Sequence, residues 1–241
     1  MSMRPFTRAE QRASRIAWVA AAIALAVALG AIGVWALQPG DGCEAGPSEF
    51  ARVARVESDA MLPTLARGDL LLMQRRYYCR IEPKRGDVAV LAPPQGQSEP
   101  LILRIVGLPG DQVELRRGQL VLNGEPVERD WLESTIRTDE NGEPHHATHF
   151  VEGLPEGPSY DIQVGDPDVS AETMAPLTVP AEHYFMLGDD RDAATDSRSF
   201  GALTRPMIVD RPWLILWGDS WSRVGHWFAV DSESKKTAVG D

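Results

Sequence analysis

Side chains that could take part in catalysis concentrate in three short segments of the sequence. The first runs from Ser58 to Leu65 (SDAMLPTL) and is followed by Gly68-Asp69. The second begins at the turn Arg85-Gly86-Asp87 and continues from Leu101 to Asp111 (LILRIVGLPGD). The third runs from Gly188 to Arg198 (GDDRDAATDSR). A serine in such a setting could cleave peptides only with a base within hydrogen-bond reach, because the base activates the hydroxyl group.

Ser58 is a candidate nucleophile, and the sequence offers few bases for it. The whole chain contains three lysines: Lys84, Lys235 and Lys236. Lys84 precedes a turn and the other two lie in the C-terminal tail, while Arg104 keeps its proton at any working pH. Two histidines lie near the three segments: His183 and His226. Nothing in the sequence places either imidazole beside Ser58.

The elements that would position these residues are strands. Short β-rich runs recur between turn signals and predict a mainly β fold. The runs are Arg52 to Val56, Leu70 to Met73, Val88 to Leu91, Leu101 to Val106, Val113 to Leu115, Leu120 to Leu122, Tyr184 to Leu187 and Trp213 to Trp217. Residues 231–241 (DSESKKTAVGD) are typical of a disordered tail.

Residues 128–182 differ from the rest, because they hold 13 acidic residues against Arg129 and Arg137. We interpret them as an acidic cap subdomain inserted into a β core formed by residues 49–127 and 183–230. Three histidines lie inside this segment: His145, His146 and His149. Their spacing could touch a metal, but loop histidines beside a proline are usually solvated. We therefore predict no metal site, and no cofactor.

The N-terminal region predicts a membrane anchor. Residues 16–37 form a stretch of 22 residues without a charge, and as a helix they would reach about 33 Å, enough to cross a bilayer core. Residues 1–15 carry four arginines against Glu10, and a positive flank stays cytoplasmic. We therefore expect a cytoplasmic segment 1–15, an anchor 16–37, a Gly/Pro linker 38–48 and an exported domain. A cleaved signal peptide is the alternative, although its apolar region would span only about 7–15 residues.

Composition excludes some functions and leaves the redox state open. The chain has 43% hydrophobic residues, 24% charged residues and a formal net charge of -11. A chain this acidic lacks the basic face that binds a nucleic-acid backbone. Its two cysteines, Cys43 and Cys79, cannot build a four-thiolate metal site. In an exported domain they could form one disulfide, and two free thiols are the alternative.

Together and in order, the three segments resemble the motifs of type I signal peptidases. These motifs read S-x-S-M-x-P-T-L-x-x-G-D, K-R-x-x-G-x-P-G-D and G-D-N-R-D-x-S-x-D-S-R. The resemblance implies a β-sheet catalytic core with an inserted cap, anchored in the bacterial cytoplasmic membrane by one helix. It also implies a domain outside the cytoplasm, where a Ser/Lys dyad removes signal peptides from exported preproteins.

The sequence departs from the family pattern at the reacting groups. The position of the nucleophilic serine is Ala60, that of the lysine base is Leu103, and that of the serine that orients the lysine is Ala194. Alanine has no oxygen with which to attack, and leucine has no amine to accept the proton. Three chemically linked losses predict a natural inactive site in which an apolar patch replaces the dyad.

Other parts of the family's site remain. By the resemblance, the Ser58 hydroxyl and the Ala60 backbone N–H form an oxyanion hole, and Asp196 with Arg198 forms a supporting ion pair.

The resemblance also implies that substrate binds as an extended strand beside shallow apolar pockets, which Met61 and Leu62 could line. The predicted function is therefore a membrane-anchored pseudo-peptidase whose partners are the lipid bilayer and either signal peptides or an active paralogue. The alternative is an active signal peptidase that uses Ser58.

Overall fold

A computed structural model describes residues 50–93, 99–138, 144–165, 173–218, 223–226 and 228. The chain divides into two units, Met1–Glu49 and Phe50–Asp241. The predicted cytoplasmic segment 1–15, anchor 16–37, linker 38–48 and tail 231–241 lie outside the described residues. Among the residues that the structure describes, no helix is long and apolar enough to span a membrane.

Strands dominate the described residues, which confirms the mainly β prediction. The strands are β1 (Ala51–Arg55), β2 (Leu70–Gln74), β3 (Val88–Leu91), β4 (Leu101–Gly107), β5 (Gln112–Arg116), β6 (Gln119–Leu122), β7 (Glu125–Pro126), β8 (Glu128–Thr138), β9 (Pro144–Gly153), β10 (Ser159–Val164), β11 (Met174–Thr178), β12 (His183–Leu187), β13 (Leu203–Thr204) and β14 (Ile208–Trp217). The described residues also form one short α-helix, α1 (Ser197–Phe200), and two 3₁₀ turns, Tyr77–Cys79 and Arg205–Met207.

The main sheet has seven strands in the order β1-β2-β14-β3-β4-β12-β13, and each neighbouring pair is antiparallel. Its central strand β3 (VAVL) is buried on both faces, which explains its unbroken run of β-branched and aliphatic residues. Side chains that alternate along β3 and β4 enter two different hydrophobic clusters. The strand carrying the second motif therefore lies in the middle of the core.

Residues 128–182 contribute to two further sheets. β8, β9 and β10 form a three-stranded antiparallel sheet, whereas β11 pairs with β5 in a four-stranded sheet. One hydrophobic cluster joins side chains from this segment, such as Ile162, to Phe185 and Leu187 of β12. The acidic segment thus packs directly against the strand that leads into the third motif.

The structure gives positions for the three histidines of the acidic segment and for one of the two cysteines. His145 and His146 are exposed on β9 and His149 is half-buried on the same strand. Within the described ranges, no group of three or more His, Cys, Asp or Glu side chains is placed to hold a metal ion. Cys79 is disulfide-bonded, while Cys43 lies outside the described residues.

Candidate functional site

The first and third motifs meet at Gly188. A Cβ atom added to Gly188 would lie 2.2 Å from the Cβ of Ala194 and 2.6 Å from the carbonyl oxygen of Ala60. Such distances leave no room for any side chain, so glycine is required here to let the two segments approach. The Asp190 N–H donates to the Ala60 carbonyl at 3.1 Å, which fixes the approach with a backbone hydrogen bond.

Strand pairing relates Leu103 to this location. β12 pairs with β4 so that Leu187 lies opposite Arg104. Leu103 packs in one hydrophobic cluster with Met186 of β12, and Gly188 follows that strand directly. Side chains alternate along a strand, so Leu103 lies on the side of the sheet that faces Met186. The structure thus brings Ala60 and Ala194 together at Gly188 and places Leu103 on the strand that pairs with β12.

This face is apolar. Leu103 is fully buried and packs in a cluster with Ala89, Ile105 and Met186. Neither alanine side chain carries a group that can donate or accept a proton. A lysine would have to be accommodated here among hydrocarbon groups, where burial lowers an amine pKa.

The opposite face of β4 carries a buried charge pair. Arg104 donates to Asp189 from Nε at 2.8 Å and from Nη2 at 2.6 Å, and it also donates to the Gly86 carbonyl at 2.8 Å. Burial alone would lower the pKa of Arg104, but Asp189 raises it above its usual value. The Thr64 hydroxyl donates to Asp189 at 2.5 Å, so this pair ties the first, second and third motifs together.

A second buried cation continues the network into the three-stranded sheet. Arg191 donates to Glu152 on β9 at 2.6 Å and to the Tyr160 hydroxyl on β10 at 3.1 Å. The Tyr160 ring also lies 4.1 Å from the Arg104 guanidinium carbon, in the geometry of a cation–π contact. Burial raises the pKa of the Tyr160 hydroxyl, so it stays neutral between the two arginines.

Asp196 and Arg198 hold the third motif against β12. Asp196 is fully buried, accepts from the Gly188 N–H at 2.9 Å and accepts from Arg198 Nε at 2.8 Å. The next residue, Ser197, accepts from the Met186 N–H at 2.9 Å. The ion pair therefore fixes the backbone of Gly188, at the centre of the apolar face.

The other residues singled out in the sequence lie at the edge of this arrangement or in the core. Ser58 is exposed, whereas Met61 and Leu62 are 1% and 8% exposed. Met61 packs with Val88 and Val90 in a hydrophobic cluster, so core packing accounts for its side chain.

The proposed bases for Ser58 have other surroundings. The Lys84 side chain is exposed and its backbone N–H donates to Asp87. His183 Nδ1 lies 2.8 Å from the Ala181 carbonyl, and the His226 ring packs edge-on against Phe228. Lys235 and Lys236 lie outside the described residues. None of these groups is shown within hydrogen-bond reach of Ser58 across the part of the chain that the structure describes.

Sequence reasoning missed the polar network. It treated Arg104 only as a group unable to act as a base, and it gave no role to Thr64, Glu152 or Tyr160. One signal was available: Arg104 directly follows Leu103, and alternation along a strand places neighbours on opposite faces. The partners Glu152 and Tyr160 come from strands that the sequence did not reveal.

Comparison with known proteins gives one consistent result. The family "Signal peptidase, peptidase S26" matches residues 48–217. Signal peptidase I of Leptolyngbya laminosa is 28% identical over 176 residues, which are 70% of this chain and 70% of the relative. Signal peptidase I of Rickettsia bellii is 37% identical over 134 residues, 53% of this chain and 44% of the relative. This chain therefore spans less than half of the length of the Rickettsia protein.

A solved structure was also found. A signal peptidase I from Enterococcus faecalis has 25% sequence identity and a TM-score of 0.31, over 53% of this chain and 94% of that one.

Proposed function

This chain belongs to the signal peptidase family, peptidase S26, and from that premise we propose that it is a membrane-anchored, non-catalytic member that binds signal peptides of exported preproteins or an active paralogue. The observation that carries the proposal is the apolar face of β4 and β12. Ala60 and Ala194 meet at Gly188, and the fully buried Leu103 packs against Met186 of the strand that leads to Gly188. A hydroxyl nucleophile, its base and the group that orients the base are absent together from these three positions.

The retained polar network supports binding in place of catalysis. Arg104 with Asp189 and Arg198 with Asp196 hold the three motifs in register. A groove that accepts an extended peptide needs a sheet edge and pockets, and neither depends on a nucleophile. The function therefore uses the family's frame without its reaction.

The membrane location rests on the sequence of residues 1–48. An uncharged stretch of 22 residues follows an arginine-rich flank, which favours one anchor with the N-terminus in the cytoplasm and the domain in the periplasm or its equivalent.

The experiment is incubation of the purified full chain, in detergent, with a preprotein that carries a photo-crosslinker in its signal peptide. We expect an uncleaved preprotein on a gel and a crosslinked product that the mature form, lacking the signal peptide, does not give. Cleavage that disappears in Ser58→Ala would show an active peptidase with a different dyad. A preprotein that is neither cleaved nor crosslinked would contradict signal-peptide binding and leave an active paralogue as the partner to test.

A further inference from the structure

We propose that the outer edge of β8 is a binding site for an extended polypeptide segment in which basic and apolar residues alternate, and that this segment adds to the three-stranded sheet as a fourth strand. In the strand order β10-β9-β8, β8 lies at the edge, and within the described ranges its strand partner is β9. β8 has 11 residues and no proline, so its outer N–H and C=O groups form a long row with which a further strand can pair. The edge lies in the acidic segment 128–182, whereas the three motifs lie outside that segment, so the site is separate from the groove of the proposed function.

The edge strand exposes three large apolar side chains: Trp131, Leu132 and Ile136 are 63%, 47% and 69% exposed. Trp131 lies opposite Phe150 of β9, and Ile136 lies opposite His146. Phe150 and His146 are four positions apart, so alternation places them, and the two β8 residues opposite them, on one face of the sheet. Trp131 and Ile136 share this face although they are five positions apart, because the ladder has a bulge at Leu132. This face of the edge therefore fits apolar side chains of an added strand.

The other face of β8 is acidic. Asp130 and Glu133 are exposed and lie opposite Val151 and His149 of β9. These β9 residues are two positions apart, so the two carboxylates share a face. Asp161 of β10 lies opposite Val151 and adds a third carboxylate to it. Because opposite charges on neighbouring strands stabilise their pairing, this face fits basic side chains of an added strand.

Both arginines of β8 are half-buried and have partners within the chain. Arg129 Nη2 lies 3.7 Å from Glu152. Arg137 donates to Gln163 of β10 at 2.9 Å, and its charge acts on the Asp190 carboxylate. The exposed charge along the edge is therefore mainly that of the acids, in a segment that holds 13 acidic residues against these two arginines.

The charge of the edge favours a basic segment over a second copy of this chain. Two copies joined at β8 would bring two acidic segments together, and like charges on neighbouring strands destabilise their pairing. A basic segment is instead attracted to the edge, and salt weakens that attraction. Alternation of basic and apolar residues then presents each kind of side chain to the face of β8 that fits it.

The test measures binding of fluorescent synthetic peptides to the full chain, purified in detergent, by fluorescence anisotropy. The probe is a peptide of four Arg-Val repeats. One control peptide has the same composition but places its four arginines before its four valines, and another has four Glu-Val repeats. We expect saturable binding of the probe that weakens in high salt, and binding of both controls that is weaker by about ten-fold or more. Amide hydrogen exchange of residues 129–137 should slow when the probe binds.

Matched variants change the same net charge at two places. Asp130→Lys with Glu133→Lys should raise the dissociation constant of the probe by about ten-fold or more. Glu99→Lys with Glu156→Lys, at two exposed acids outside β8, should change it little. Circular dichroism establishes that each variant is folded.

A second pair of variants tests the apolar face. Ile136→Ser should weaken binding of the probe, whereas Val53→Ser, at a residue that is 52% exposed on the edge strand β1, should not. Equal binding of the alternating and the block peptide, or equal effects of the two charge variants, would overturn the proposal. A dimer of the parent that Ile136→Ser dissociates would assign the edge to a second copy and would also overturn it.

Discussion

Two neighbouring residues on β4 face two different environments. Leu103 points into an apolar cluster with Ala89, Ile105 and Met186, and its side chain, like those of Ala60 and Ala194, can neither donate nor accept a proton. Arg104 points to the other side, where Asp189, Thr64 and Tyr160 surround its guanidinium group. The apolar surroundings of Leu103 and the hydrogen-bonded charge pair of Arg104 therefore lie on opposite faces of one strand.

The difference has a physical basis. A reacting serine, its lysine base and the serine that orients the lysine can be replaced together by apolar residues without leaving a partner unsatisfied, because the three groups bond mainly to one another. Removing one member of a buried ion pair lowers the free energy of unfolding much more, because the remaining charge is left in a medium that solvates it poorly. Replacement of the three family positions by Ala60, Leu103 and Ala194 is thus compatible with retention of the surrounding ion pairs.

Restoring the chemistry on the apolar face should have the largest effect of any change to the molecule. The variant Ala60→Ser, Leu103→Lys, Ala194→Ser supplies a nucleophile, a base and a group that orients the base. Nucleophile and base act as a unit, so we expect cleavage of a preprotein by the triple variant at a rate about 10² or more above every single variant. Activity should rise toward alkaline pH, because the introduced lysine must lose its proton to act as a base.

The control for this prediction is the double variant Leu103→Lys, Ala194→Ser, which lacks only the nucleophile. Circular dichroism establishes that each variant is folded before its activity is compared on a gel. A folded triple variant that leaves the preprotein intact from pH 7 to pH 10 would show that the peptide groove has been lost along with the dyad.

On the polar face, removing one member of the buried pair should destabilise the domain strongly. Arg104→Met leaves Asp189 without its cation, and we expect a loss of about 3–5 kcal/mol in the free energy of unfolding, measured with urea. The double variant Arg104→Met, Asp189→Leu should recover part of that loss, since no charge remains unpaired. Arg116→Met, at an exposed pair with Glu114, serves as the control and should leave the midpoint near that of the parent. Equal effects of Arg104→Met and Arg116→Met would contradict the contrast between the two faces.

The sequence predicted the apolar face more completely than the polar one. Ala60, Leu103 and Ala194 each fall inside a recognisable motif, and the close approach at Gly188 then brings two of them, Ala60 and Ala194, together. The core strands were also predictable, because β3 and β4 are continuous apolar runs bounded by turns. β8 and β9 were not, since both carry many polar side chains and β8 is also largely exposed. Glu152 and Tyr160 lie on β9 and β10, so their contacts with Arg191 depend on pairings that no local pattern reveals.

Gly188 offers a smaller test of how tightly the two motifs approach. Gly188→Ala would place a Cβ atom 2.2 Å from Ala194 and 2.6 Å from the Ala60 carbonyl, so one segment must move. We expect a loss of about 1–3 kcal/mol in unfolding free energy, in the range of other overpacking changes. Gly153→Ala, where the added atom would meet only Ser159 Oγ at 3.5 Å, is the matched control and should change stability little. If both variants unfold at the same urea concentration, the close approach of the two segments at Gly188 does not limit the size of the residue there.

The smallest expected effect is a difference in how two carboxylates change the stability of the protein with pH. Burial raises the pKa of Asp190 above its usual value of 3.8, although Gln163 and the Ala193 N–H donate to it. For Asp111, burial acts in the same direction, but hydrogen bonds from Arg85 and Asn123 outweigh it and lower the pKa. The two groups should therefore affect stability in opposite directions as pH changes.

The sign follows from proton linkage. The folded protein holds the Asp190 proton more tightly than the unfolded chain, so this group's contribution is full below pH 3.8 and is lost as pH rises through the native pKa. The asparagine in Asp190→Asn cannot titrate, so the free energy of unfolding of this variant, relative to the parent, should increase between about pH 4 and 7. Any further change caused by the new amide is the same at every pH and does not alter this slope. The contribution of Asp111 is full above the unfolded pKa and is lost as pH falls through the native one, so the deficit of Asp111→Asn should shrink below about pH 4. Urea unfolding of the parent and both variants at pH 3.5, 5 and 7 measures the two slopes, and slopes of the same sign would contradict the assigned causes.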